Sequence, residues 1–281
     1  MNETSELNEA AELNEAAELN EAAELNEAAE LNEAAELPQD SVQVCLLAGK
    51  IMLQSGAETY RVEDTMNRMA SALGLPGSHS YVTPTGIVFQ SGDTESAKLI
   101  RIVERTTDLQ KVADVNDVSR KLAGGELTCA EARARLLEIE AGTNAYPVAL
   151  QIAAAAVASG CFTLMFRGGL PDFIPGVLCG GSGFAAFLLF HRLVKVKFFA
   201  EFTASLLIGL LAALLVSLGL GRELDKIIIG SVMPLVPGLL ITNAVRDLMA
   251  GHLVSGLSRG AEAFLTAFAI GTGIAVMFTL F

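Results

Sequence analysis

Pro234 and Pro237 stand inside an apolar stretch, Ile227–Val245, that is long enough to cross a lipid bilayer. A proline removes a backbone N–H donor and clashes with the carbonyl of the preceding helical turn. In hydrocarbon, the backbone groups freed in this way must be satisfied by neighbouring helices, by side chains or by water in a cavity. The pattern therefore indicates an interrupted membrane helix that binds a solute. A simple proline kink between packed helices is the alternative.

The groups around this interruption are neutral. No Asp, Glu, Lys or Arg lies at the middle of any long apolar stretch of the chain. A solute anion at that depth would have to be held by helix N-termini, backbone N–H groups and neutral polar side chains. We therefore predict these substrate-binding residues: Ser231, Pro234, Pro237, Gly238, Thr242 and Asn243.

Charged residues near the ends of the apolar stretches are candidate gates or ion pairs: Asp172, Glu201, Arg246, Asp247 and Glu262. Arg246 beside Asp247 could form an ion pair that opens and closes, or the two could simply mark membrane topology. Asp172 follows a proline and could bind a cation or cap a helix. Glu201 and Glu262 could act as gates or could extend to the lipid headgroups.

The charge of the chain is concentrated in its N-terminal tail. Residues 1–37 contain twelve Glu and no Lys or Arg, so the remaining chain has 20 acidic and 19 basic residues. A nearly neutral body argues against a nucleic-acid-binding protein, which needs a basic face. The tail repeats Glu-Leu-Asn-Glu-Ala-Ala every six residues, a period that gives a helix no continuous apolar face. We interpret residues 1–40 as an acidic low-complexity tail.

The cysteines and histidines give no metal-binding pattern. The four cysteines contain no Cys-x-x-Cys pair, which favours neither a zinc site nor a disulfide framework. His252 has no second ligand at helical spacing. We expect neither a metal nor a cofactor.

Residues 41–142 carry the signals of a soluble α+β domain. Asp108 and the pair Thr128/Glu131 mark the starts of two helices, the second by a capping box. Three short β-prone runs separated by turn residues predict an antiparallel meander: Ser80–Thr83, Gly86–Gln90 and Leu99–Glu104.

A catalytic role for this domain is the alternative to transport. Ser55 or Thr85 would be the nucleophile of a membrane-anchored, hydrolase-like enzyme. No His or Lys base lies nearby in the sequence, and neither motif resembles a nucleophile elbow. A helix break at Ser55 and a strand turn at Thr85 explain both motifs, so we expect no enzymatic activity.

Five apolar stretches, each of about the length a bilayer requires, predict a five-helix transmembrane domain over residues 143–281: Tyr146–Phe166, Leu170–Phe190, Phe198–Leu220, Ile227–Val245 and Ala261–Phe281. The most basic loop, His191–Lys197, is cytoplasmic by the positive-inside rule. Alternation then puts the α+β domain in the cytoplasm and the C-terminus outside an inner membrane. The acidic N-terminus is unlike a signal peptide.

Taken together, several motifs resemble the threonine/serine exporter (ThrE) family, and within it the YjjP-type subunit, over about residues 41–281. They are Ser55-Gly56-Ala57-Glu58, Thr83-Pro84-Thr85-Gly86-Ile87, and a membrane signature running from Pro234-x-x-Pro237-Gly238 through Asn243-x-x-Arg246-Asp247 to Ser255-Gly256 and Glu262-Ala263. The resemblance implies export of small hydrophilic metabolites, namely threonine and serine, or dicarboxylates such as succinate in two-subunit members. It also implies a smaller membrane subunit of the same family as partner, and hence an oligomer.

Overall fold

The chain divides into two units of structure. The computed structural model describes residues 40–92, 96–142, 146–194, 196 and 198–280. The first unit comprises the chain up to Ala57 together with Arg61–Gly142, and the second comprises Glu58–Tyr60 together with Thr143–Phe281. The acidic repeat over residues 1–39 lies outside the described residues, so its interpretation stays a prediction.

The first unit combines helices with one small sheet. Its helices are α1 (residues 40–54), α2 (Thr59–Ala72, which starts in the second unit), α3 (Leu109–Ala123) and α4 (Cys129–Ala141). Its strands are β1 (His79–Thr83), β2 (Gly86–Gln90) and β3 (Lys98–Arg101). The strands pair in the order β1-β2-β3, antiparallel throughout, with Thr83 opposite Gly86 across a two-residue turn. This is the predicted meander.

Helix α1 lies in the core of this unit. Its side chains Val44, Cys45 and Met52 are fully buried. A Cβ atom on Gly49 would stand 2.4 Å from Met66 Sδ, so the glycine permits a close approach to a residue of α2. The apolar pattern of the sequence therefore produces a largely buried helix, with Gln43 as an exposed position.

The predicted helix starts of α3 and α4 are confirmed. Asp108 accepts the backbone N–H of Lys111. Thr128 and Glu131 form the full reciprocal capping box, in which each side chain bonds the other residue's backbone N–H. The backbone N–H and the hydroxyl of Thr128 both donate to the Glu131 carboxylate, and these two hydrogen bonds hold the pKa of that carboxyl below its usual value. These local signals suffice because a cap satisfies donors that the helix itself leaves unpaired.

The second unit consists of long apolar helices. Four are long and apolar enough to cross a membrane: α5 (Val148–Met165), α6 (Leu170–Leu193), α7 (Phe199–Ser217) and α10 (Leu253–Leu280). A fifth segment is broken into α8 (Leu224–Val232), a short 3₁₀ turn (Met233–Leu235) and α9 (Gly238–Met249), with a bend of 62°. The described residues thus contain four spans, or five where the bent pair counts as one.

Helix α10 starts earlier than the sequence predicts, at Leu253 instead of Ala261. The Ser- and Gly-rich residues before Ala261 resemble a loop, but they are helical because small side chains let α10 approach α9 closely. A Cβ atom on Gly256 would stand 2.5 Å from Leu248 Cγ and 3.0 Å from the carbonyl oxygen of Ala244. The predicted apolar stretch from Ala261 onward therefore forms the later part of a longer helix.

Close contacts through glycine fix α8 against its neighbours. Helix α8 packs against α5, α6 and α7, while α9 packs mainly against α10. Thr163 of α5 stands between Gly176 of α6 and Gly230 of α8, and added Cβ atoms there would lie 2.4 Å and 2.2 Å from Thr163 Oγ1. In the broken segment, α8 is therefore packed among three helices, whereas α9 is packed mainly against one.

Candidate functional site

The broken segment exposes main chain where its two helices meet. After α8 ends, Val236 adopts an extended conformation (φ −63°, ψ 131°) and α9 begins again at Gly238. The N–H of Val236 donates to the carbonyl of Met233 at 3.2 Å, and the N–H of Gly238 to that of Val236 at 2.8 Å. The prolines therefore interrupt the helix instead of merely bending it, as their spacing predicts.

The predicted substrate-binding residues fall on different surfaces of this segment. Ser231 is buried and its hydroxyl donates to the carbonyl oxygen of Gly176 at 3.3 Å. Asn243 is also buried, whereas Pro234 and Pro237 are half-buried. The remaining two, Gly238 and Thr242, are exposed. The structure of this unit does not bring the six residues into one enclosed pocket.

The exposed face of α9 carries a short polar stripe. Gly238, Thr242 and Arg246 follow one another at four-residue spacing, which puts them on the same side of a helix. A Cβ atom on Gly238 would have no neighbour within 4 Å. The hydroxyl of Thr242 donates to the carbonyl oxygen of Gly238 at 3.0 Å. We call these three residues the α9 stripe.

Asp247 lies on the opposite, buried side of α9 and is fully enclosed. Its Oδ1 accepts the backbone N–H of Thr59 at 2.9 Å, and its Oδ2 accepts the Thr59 hydroxyl at 3.0 Å. Arg259 Nε of α10 stands 3.2 Å from Oδ2, and its side chain is 3% exposed. A buried charge needs such partners because removal from water is costly.

Arg246 forms an ion pair with Glu58 through Nη1 and Oε1. An ion pair between Arg246 and Asp247 was one of two interpretations of the sequence, and the structure gives each of them a different ionic partner. The reason is geometric: successive residues of an α-helix point about 100° apart, so neighbours in sequence face different surroundings. The Arg246 side chain is 53% exposed and that of Glu58 is 8% exposed.

Asp172 sits in the first turn of α6 and is buried. It accepts the backbone N–H of Gly169 at 2.9 Å, and those of Arg222 and Glu223 at 2.6 Å and 3.1 Å. Three donors to one carboxylate give the geometry of a helix cap that also ties down the segment before α8.

The two remaining predicted gates are Glu201 and Glu262. Glu201 lies in the first turn of α7 and Glu262 lies in α10, and both are half-buried. Across the described ranges, no group of three or more His, Cys, Asp or Glu side chains is arranged to hold a metal ion.

The two candidate nucleophiles of the enzyme alternative, Ser55 and Thr85, lie in turns of the first unit. Ser55 is 3% exposed in the turn that ends α1, where Gly56 has φ +91°. Thr85 is exposed in the hairpin turn between β1 and β2. A surface recess of about 260 Å³ in this unit is lined by residues of α3 and α4 and contains neither of them.

Arg246 and Asp247 form a charged cluster with Glu58, Thr59 and Arg259. The last three were not predicted as site residues from the sequence. Glu58 and Thr59 lie 188 residues from their partners on α9, a separation that no local pattern reveals. Arg259 did carry a signal, because a charge flanked by small residues inside an apolar helix needs a buried partner.

These features define a multi-pass membrane protein built around an interrupted helix. The chain belongs to the ThrE family, described as "Putative threonine/serine exporter", whose profile matches residues 43–281. The family suggested by the sequence motifs is thereby confirmed.

Relatives of two kinds are similar to this chain. The "Probable succinate transporter subunit YjjP" of Klebsiella aerogenes is 27% identical over 85% of this chain and 93% of its own length. The Escherichia coli protein of the same name is 25% identical over 85% of this chain and 93% of its own length. "Pheromone-regulated membrane protein 10" of Yarrowia lipolytica is 27% identical over 80% of this chain, but over 19% of its own length. No solved structure matches the chain.

Proposed function

We propose that this chain is a subunit of a secondary exporter that moves small hydrophilic metabolites out of the cytoplasm. The observation that carries the proposal is the interrupted helix at Pro234 and Pro237, bent by 62° in an otherwise apolar segment. Membership of the ThrE family supports it. The substrates are amino acids such as threonine and serine, or dicarboxylates such as succinate, the solute in the printed name of two relatives.

The interruption supplies the polar groups that a solute requires in hydrocarbon. Backbone around Val236 leaves the helical ladder, and α9 begins with N–H groups that helical bonding does not use. Helix N-termini attract negative charge. We propose that a solute contacts Pro234, Pro237, Gly238 and Thr242 directly, while Ser231 and Asn243 support the interruption from the buried side.

The charged residues near the helix ends serve as gates in this proposal. Arg246 lies on the α9 stripe and is accessible, so it is the gate residue that a solute would meet first. Asp247 holds Thr59 and Arg259 in place from the buried side of α9. Asp172, Glu201 and Glu262 lie on α6, α7 and α10 and would act where those helices reach the membrane surface.

A second, smaller membrane subunit of the same family completes the exporter in this proposal. Helix α9 packs mainly against α10 and leaves residues such as Leu239, Ile241 and Val245 exposed. The word "subunit" in the relatives' printed names supports a partner. We further propose an inner-membrane location with the first unit in the cytoplasm and the C-terminus outside.

An efflux assay tests the proposed site. Cells that express the chain with its partner are loaded with labelled threonine or succinate, and the release is compared between wild type, Pro237→Leu and Asn243→Ala. We expect both variants to lose most of the efflux at equal membrane abundance. Gly271→Ala is the matched control, because a Cβ atom there meets nothing within 4 Å. Unchanged efflux in both test variants would remove the interruption from the transport pathway.

Omission of the partner tests the subunit claim separately. We expect the chain alone to release the solute at the background rate and co-expression to restore efflux. Full efflux by the chain alone would contradict the two-subunit proposal and leave the proposed site intact.

A further inference from the structure

Two arginine–carboxylate pairs of the second unit differ in their access to solvent. The side chains of Asp247 and Arg259 are 0% and 3% exposed, whereas Arg246 is 53% exposed in its pair with Glu58. A solute can replace a partner only where it can reach the charge. The Arg246–Glu58 pair is therefore the one that is able to exchange.

The buried pair fixes where Glu58 stands. Asp247 holds both the backbone N–H and the hydroxyl of Thr59, the residue that follows Glu58 in the chain. With Thr59 fixed against Asp247, the neighbouring side chain of Glu58 reaches Arg246. Glu58 and Thr59 thus contact Arg246 and Asp247 of α9. The contact of Thr59 with Asp247 is buried, whereas the ion pair of Glu58 with Arg246 can be reached through the exposed arginine.

Arg246 also ends the α9 stripe, which begins at the interruption. Gly238 and Thr242 lie one and two helical turns before it on the same exposed face. A solute that approaches the interruption along this face from the cytoplasmic end of α9 first meets the guanidinium of Arg246. The planar guanidinium fork matches a carboxylate and can bind it with two parallel hydrogen bonds.

From these contacts we infer that Glu58 is an internal carboxylate ligand of Arg246, and that the carboxylate of a transported solute replaces it there. The inference rests on the proposed function and deepens it by naming the residues that recognise the free carboxylate shared by the proposed substrates, dicarboxylates and amino acids alike. Glu58 then acts as a competitor that occupies Arg246 while no solute is bound.

The expected effects follow from the exposure of the pair. Arg246 is 53% exposed although Glu58 is only 8% exposed, so a competing carboxylate can reach the guanidinium while Glu58 occupies it. Removing an internal competitor lowers the apparent Kd to f times its former value, where f is the fraction of sites that the competitor had left free. Glu58→Gln should therefore bind a carboxylate solute about two- to fivefold more tightly than wild type. Arg246→Gln should weaken the same binding by about fivefold or more.

Calorimetric titration of the purified full chain in nanodiscs measures these affinities. The probes are succinate, threonine and threoninamide, which differs from threonine in lacking the carboxylate. We expect Glu58→Gln to tighten and Arg246→Gln to weaken binding of succinate and threonine, with threoninamide unaffected by either substitution. Asp225→Asn is the matched control, since it breaks the exposed pair with Lys226 elsewhere in this unit. Its affinities should equal those of wild type.

The outcomes separate this inference from the proposed function. Equal succinate affinity in wild type and Glu58→Gln, with both proteins monodisperse, overturns the competitor role of Glu58. An equal change for threoninamide overturns the carboxylate exchange, because the effect would then be structural. If Glu58→Gln does not fold, undiminished succinate binding by Arg246→Gln overturns the inference instead. Absence of succinate and threonine binding in every variant, wild type included, overturns the inference, whereas the efflux assay of the chain with its partner decides the proposed function separately.

Discussion

Replacement of Asp247 by alanine is expected to destabilise the second unit more than any single loss of a surface charge. The side chain of Asp247 is 0% exposed, and the substitution would remove its carboxylate from the buried Arg259 guanidinium, which is 3% exposed. Breaking a buried ion pair by removing one partner costs about 3–5 kcal/mol. The lost hydrogen bonds from Thr59 belong to the same change and are included in that figure.

The double variant Asp247→Leu/Arg259→Met should recover most of this loss. Replacing a buried ion pair by apolar side chains of similar size is often nearly neutral, because no unpaired charge is left behind. A double-mutant cycle with the two single variants isolates the coupling between the residues. We expect the loss in the double variant to be well below the sum of the two single losses.

Unfolding of the purified full chain in detergent, followed by the loss of monodisperse protein on heating and in denaturant, measures these differences. Asp225→Asn provides the control, because this exposed residue pairs only at the surface with Lys226 and its loss should stay within about 0.5 kcal/mol. A cost below about 1 kcal/mol for Asp247→Ala, or simple additivity in the cycle, would refute the reasoning that the buried pair holds this region together.

Three further predictions concern other contacts. Gly230→Ala should cost about 1–3 kcal/mol in the same unfolding assay, because its Cβ atom would lie 2.6 Å from a backbone nitrogen of α5, whereas Gly271→Ala has open space and should be neutral or slightly stabilising. Asp172→Ala should lower the unfolding temperature, since three backbone N–H groups lose their acceptor; equal melting of variant and wild type would contradict the capping role. Burial, and secondarily the nearby Cys129, raises the pKa of the Cys45 thiol from 9.0 to about 12, so a maleimide should label Cys45 at pH 7.5 only after unfolding. Because the folded thiol keeps its proton where the unfolded one loses it, the stability that Cys45 contributes should fall as pH rises from 9.0 towards 12.

Local chemistry explains what could be predicted from the sequence. The caps at Asp108 and Thr128 depend on residues three positions apart, and the hairpin between Thr83 and Gly86 depends on a two-residue turn. The interruption at Pro234 and Pro237 is equally local, because each proline acts on the turn before it. Such features need no knowledge of the rest of the fold.

The charged cluster could not be predicted in the same way. Asp247 takes its partners from α10 and from Thr59, which is 188 residues away. Its immediate neighbour Arg246 was the obvious partner in the sequence, but helix geometry turns the two side chains to different surroundings. The start of α10 was missed for a related reason: Gly256 resembles a loop residue until α9 is packed against it.

The unequal anchoring of the two halves of the broken segment has a mechanical consequence. Helix α8 packs against α5, α6 and α7, and its Gly230 is in direct contact with Thr163. A shift of α8 would therefore disturb all three helices. Helix α9 packs mainly against one neighbour, α10. Any rotation about Val236 and Pro237 would therefore move α9 together with α10, to which Asp247 is bound through Arg259, while α8 stays in place.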